Sequence, residues 1–88
     1  MANYRIEVSA TAEKQIRKLN KAEQLRVLRA IQQLAHEPRP PGTRKLRGYN
    51  DLYRIRIGTH RILYSIESNR LLIIILKVGH RRDVYRER

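Results

Sequence analysis

The chain is 88 residues long, enough for one domain spanning residues 1–88 and too short for two. It has no cysteine, which excludes a disulfide framework and a thiolate metal site, and its longest apolar run, Leu71 to Leu76, is far below the about 20 residues of a membrane span. No apolar signal segment follows Met1, so a reducing cytoplasm is the expected compartment. The 20 lysines and arginines against 8 acidic residues leave a net charge of +12, and 15 of the 20 are arginine, whose planar fork matches phosphate. Residues 1–37 carry a net charge of +3 and residues 38–88 a net charge of +9, so the anionic partner belongs to the C-terminal half.

Tyr4-Arg5-Ile6-Glu7-Val8 alternates and reads as a short strand. Ser9 offers an N-cap oxygen with Glu13 in the first turn, and Ala12, Ile16 and Leu19 share one helical face. Asn20 is a helix stop. A second helix follows with Leu25, Leu28, Ile31 and Leu34 as its apolar stripe, and Lys21, Gln24, Arg29 and Gln32 outside. Pro38, Pro40, Pro41 and Gly42 end it. The two helices form a hairpin.

From Leu52 the period changes to two. Leu52–Ile57 and His60–Glu67 read as strands joined by the two-residue turn Gly58-Thr59, with glycine where a type II′ turn needs it. Ser68-Asn69 reads as a second two-residue turn, followed by a central strand, Arg70–Val78, apolar on both faces. The expected fold is α+β, a small antiparallel sheet with the N-terminal helical hairpin packed on one face.

This register puts Tyr53, Ile55, Ile57, Ile62 and Tyr64 on the core face and Arg54, Arg56 and Arg61 together on the other. It also pairs Arg61 with Leu76 and His60 with Lys77, and brings Gly79, His80 and Arg81 to the edge where the arginines converge. Like charges opposite one another destabilise a sheet. A bound phosphate relieves that repulsion through charge-assisted hydrogen bonds.

Lys45-Leu46-Arg47-Gly48, Leu52-Tyr53-Arg54-Ile55-Arg56, His60-Arg61-Ile62-Leu63-Tyr64 and Val78-Gly79-His80-Arg81-Arg82-Asp83-Val84-Tyr85 resemble the RelE family of the RelE/ParE toxin superfamily. The resemblance runs through almost the whole chain. It implies a toxin that enters the ribosomal A site and cuts mRNA there by 2′-hydroxyl attack. It also implies a cognate acidic antitoxin that wraps the basic face and carries the complex to promoter DNA. Carried over by motif, the catalytic set falls on Arg54, Arg56, Arg61, Arg81 and Tyr85. The best-known RelE pattern has lysine where this chain has Arg54 and Arg56. Arginine cannot act as a general base, so these two bind phosphate and stabilise charge.

Histidine as a residue type titrates near neutrality when unperturbed, which makes His80 the natural acid–base candidate. Lys45, Arg47, Tyr49 and His60 are candidate RNA-binding residues. His60 and His80 have no carboxylate or thiolate companion at ligand spacing, so neither a metal nor another cofactor is expected. Two other functions share these features: a ParE-like toxin that inhibits gyrase without cutting RNA, and an RNA-binding module without catalysis.

Overall fold

The computed structural model describes residues 3–49 and 51–80. Strand β1, Arg5–Val8, leads into helix α1, Ala10–Arg17, and helix α2, Lys21–Leu34. The strands β2, Arg44–Lys45, β3, Leu52–Ile57, β4, His60–Glu67, and β5, Leu72–His80, follow. They form one five-stranded sheet in the order β1-β5-β4-β3-β2. Both helices lie on one face, which makes the fold α+β as expected. No described helix is long and apolar enough to cross a membrane.

Ser9 begins α1, its side-chain oxygen accepting the Ala12 N–H at 3.0 Å. Asn20 does not stop a helix; it starts one. Its backbone is extended and its Oδ1 accepts the Glu23 N–H at 2.9 Å, the N-cap geometry of α2. The apolar stripe of α2 also differs from expectation. Val27, Ile31 and Leu34 are buried, whereas Leu25 and Leu28 are 52% and 42% exposed. Packing against the sheet sets this rotation, with Val27, Ile31 and Leu34 in the core cluster, and the Tyr4 N–H is bonded to the Ala35 carbonyl at 2.8 Å just past the end of α2.

The sheet is mixed. β1 runs parallel to β5, and the other pairs are antiparallel. β5 thereby gains a neighbour on each side, as its apolar sequence requires. Gly58-Thr59 is the expected two-residue turn, with Gly58 at φ +61 and Ile57 opposite His60. A Cβ on Gly58 would stand 2.8 Å from the Arg26 Nη1 atom, which packs over this turn.

The turn between β4 and β5 is longer than predicted. Ser68–Arg70 makes a 3-10 turn, Leu71 follows with φ +49, and pairing resumes at Glu67 opposite Leu72. An ion pair, Arg70 to Glu67 at 2.9 Å, spans it. Further along, Tyr64 faces Ile75 while Leu63 faces Lys77, so Leu76 is an extra residue in β5. The longer turn and the bulge together overturn the expected register. Arg61 faces Gly79, not Leu76, and His60 faces His80, not Lys77.

Helix α1 holds the bulge. Ser9 Oγ donates to the Leu76 carbonyl at 2.9 Å, and the Val78 N–H donates to Gln15 Oε1 at 2.6 Å. Backbone groups that the bulge removes from the ladder thus find side-chain partners, as buried peptide groups require. The core lies between sheet and helices. Ile62, Tyr64, Ile73, Ile75 and Val78 from the sheet pack with Ala12, Val27, Ile31 and Leu34 from the helices.

Candidate functional site

Four strands place cations on the sheet face that points away from the helices. Arg54 and Leu63 are partners, as are Arg56 and Arg61, and side chains at i and i+2 share a face. Arg44 of β2 faces Arg54, and Lys77 of β5 faces Leu63. Arg44, Arg54, Arg56, Arg61 and Lys77 therefore lie on one face. Arg56 is exposed and Arg54 half-buried, while Arg61 is only 5% exposed.

The electrostatics follow from this crowding. Burial, and then the nearby Arg44 and Arg56 guanidiniums, lower the pKa of Arg54 from its ordinary value. It stays charged, because arginine does not deprotonate in proteins. A polyanion on this face satisfies several guanidiniums at once and is favoured by both charge and fork geometry. Single-stranded RNA, with a phosphate at every nucleotide, has that chemistry.

The expectation that Arg54, Arg56 and Arg61 share a face is met. Arg81 and Tyr85 lie outside the described residues. His80 is not brought to the arginines. Its register partner is His60, and the two rings meet edge to face with centroids 6.2 Å apart. Both belong to the helix side of the sheet, in register with Ile57. The His60 Nε2 atom lies 4.0 Å from a Glu23 carboxylate oxygen on α2, and Nδ1 lies 3.5 Å from Thr59 Oγ1.

Lys45 pairs with Tyr53 and so sits opposite in parity to the cluster; its neighbour Arg44 takes the place beside Arg54. Arg47 and Tyr49 are exposed in the segment between β2 and β3. Among the described residues no group of three His, Cys, Asp or Glu is placed to hold a metal ion.

Arg44 and Lys77 are the residues that sequence reasoning missed. Arg44 was hidden because a two-residue edge strand carries no period. Lys77 was hidden by the bulge at Leu76, which inverts the parity of the strand after it.

Buried tyrosines anchor the segment that delivers Arg44. Tyr64 is fully buried, its hydroxyl donating to the Pro38 carbonyl at 2.7 Å and lying 3.3 Å from Thr43 Oγ1. Burial pushes its pKa above the ordinary tyrosine value. Tyr53 stacks on it with ring centroids 6.0 Å apart. Arg39 Nη2 donates to the Tyr53 hydroxyl at 3.2 Å while the guanidinium lies 5.1 Å above the Tyr53 ring.

The chain is similar to known proteins in sequence and in fold. Residues 6–85 match the family model of the ParE toxin of type II toxin–antitoxin systems, parDE. The chain is 32% identical over 88 residues to Toxin RelG of Mycobacterium tuberculosis, covering 94% of this chain and 97% of that protein. The archaeal RelE–RelB complex from Pyrococcus horikoshii OT3 contains a similar fold, with a TM-score of 0.81, 34% identity and coverage of 90% of this chain and 96% of that one. The toxin–antitoxin complex RelBE2 from Mycobacterium tuberculosis gives a TM-score of 0.78 and 28% identity, covering 89% of this chain and 98% of that one.

Proposed function

The chain belongs to the RelE/ParE toxins of type II toxin–antitoxin systems, on the RelE side of that family, and from this premise we propose that it cleaves mRNA in the ribosomal A site. One observation carries the reading: Arg44, Arg54, Arg56 and Arg61 come from three adjacent strands onto one face. A nuclease that uses RNA's own 2′-hydroxyl needs dense positive charge where the phosphorane forms, and preorganised cations are the largest single aid to such a step.

In this reading Arg61 is the fixed cation at the reacting phosphate. It is buried and therefore held in place, and Arg56 faces it across the hairpin. Arg54 grips the adjoining backbone. Arg81 adds charge and Tyr85 stacks on a base or assists proton transfer; both are carried over from the resemblance. Arg47 and Tyr49, exposed between β2 and β3, supply secondary contacts to RNA, whereas His60, His80 and Lys45 lie on the opposite parity and stay away from the reacting phosphate. The reaction needs no metal.

The partner is a cognate antitoxin with an acidic segment, consistent with the RelB bound to RelE in the Pyrococcus horikoshii complex. Its acidic side chains compete with RNA phosphates for the same arginines. Promoter DNA is reached through the antitoxin, and the toxin acts in the cytoplasm.

Primer extension on mRNA translated in vitro, with and without ribosomes, tests the proposal. The expected result is cuts within A-site codons that require ribosomes. The ParE description of the matching family model favours a second reading, inhibition of gyrase. Intact mRNA together with a block of gyrase supercoiling would establish that reading in place of the first.

A further inference from the structure

The nuclease reading leaves one chemical need unmet by the arginines. The departing 5′-oxygen must receive a proton, and arginine does not release one. Among the described residues of the basic cluster, Lys77 is the single cation that is not a guanidinium and so can give up its proton.

Its position depends on the bulge. Below Leu76 the pairs run Tyr64 with Ile75, Ser65 with Ile74 and Ile66 with Ile73. Continued without a bulge, that register would set Lys77 opposite Ile62, in the core, and Val78 on the arginine face. With the extra residue, Val78 faces Ile62 instead and is 1% exposed, while Lys77 faces Leu63. Leu63 lies two residues from Arg61, and Arg61 faces Gly79, so Lys77 is the diagonal neighbour of Arg61 on the same face. Diagonal neighbours stand roughly 7–8 Å apart, within reach of one phosphodiester for two long side chains. Ser9 holds the carbonyl of the inserted Leu76 and Gln15 the N–H of Val78, so this re-aiming is built into the packing of α1. Bulges recur beside active sites because they redirect a side chain in this way.

We propose that Lys77 is the general acid of this site, an assignment that rests on the nuclease reading. The 2′-oxygen attacks phosphorus and its proton passes to a solvent base. The P–O5′ bond breaks, its electron pair stays on the 5′-oxygen, and that oxygen takes a proton from the Lys77 ammonium. The products are a 2′,3′-cyclic phosphate and a 5′-hydroxyl. Solvent then reprotonates the Lys77 amine.

The test uses ribosomes programmed with a short synthetic mRNA carrying one 5′-bridging sulfur at the cleaved phosphate in the A-site codon. A thiolate leaves without a proton. Lys77→Ala and Lys77→Arg are expected to slow cleavage of the all-oxygen mRNA by about 10²-fold or more, and to cut the sulfur-containing mRNA within a few-fold of wild type. Arg61→Ala is expected to stay slow on both. A Lys77→Arg protein with wild-type cleavage of the oxygen substrate would overturn the proposal, since charge alone would suffice. So would a Lys77→Ala defect that persists on the sulfur substrate. A wild-type protein that cuts neither substrate would instead sink the nuclease reading itself. Rescue by sulfur also shows that the variant is folded and bound.

Discussion

The side-chain oxygen of Gln15 accepts the backbone N–H of Val78 at 2.6 Å, across 63 residues of sequence. That bond couples the first helix to the strand that carries Lys77. It secures Val78 in the core and, through the bulge, Lys77 on the basic face.

Gln15→Leu removes the acceptor and leaves a part-buried N–H without it. Such a loss costs about 1–3 kcal/mol. In urea denaturation the midpoint falls with the slope unchanged, and cleavage falls further than the fraction unfolded explains. A variant with full activity and lowered stability would separate the bulge from function.

Arg61→Ala lowers ribosome-dependent cleavage by about 10²-fold or more, the usual consequence of losing a preorganised charge at the reacting centre. Arg61→Lys restores only part of that rate, because an ammonium lacks the bidentate fork. Single-turnover cleavage measures both. Wild-type rates in the two variants would show that the reacting phosphate lies elsewhere.

Arg44 faces Arg54 and extends the basic face by one strand. Arg44→Ala weakens binding to RNA, and the slope of log K against log salt concentration falls by about 1, one phosphate contact fewer. Titrations at several salt concentrations give that slope. Lys45→Ala, on the opposite parity beside Tyr53, changes it less.

Tyr64 gives the fold a defined alkaline limit. Burial raises its pKa above the ordinary value near 10, so the folded state holds this proton more tightly than the unfolded chain. Its contribution to stability is complete below pH about 10 and is lost as pH rises through the raised value. Tyr64→Phe loses the bond to the Pro38 carbonyl, about 1 kcal/mol at neutral pH. Its stability then declines less steeply above pH about 10 than that of the wild type, as denaturation at a series of pH values will show.

Gly58 sits at φ +61 beneath the Arg26 guanidinium. Gly58→Ala costs about 1–2 kcal/mol from backbone strain alone. For a domain of this size, that lowers the thermal midpoint by roughly 4–8 °C for each kcal/mol. An unchanged midpoint would mean that the hairpin tolerates a side chain there.

Much of this protein is legible in local patterns. The alternation of Tyr53 and Ile55 with Arg54 and Arg56, and the two-residue turn at Gly58-Thr59, are enough to put Arg54, Arg56 and Arg61 on one face. The Ser9 cap, the helical hairpin and the α+β class followed from the same short-range rules, since period and backbone preference act within a few residues. The tertiary structure decided the rest. Packing turned α2 so that Val27 went inward and Leu25 outward, and a second neighbour for the apolar β5 was found in the parallel strand β1. The bulge at Leu76 has no mark in β5 itself. It is held by Ser9 and Gln15, 67 and 63 residues away from their partners, and it alone determines which face receives Lys77. Side-chain parity is local only while the ladder is regular; one inserted residue transfers that decision to whichever distant groups satisfy its backbone.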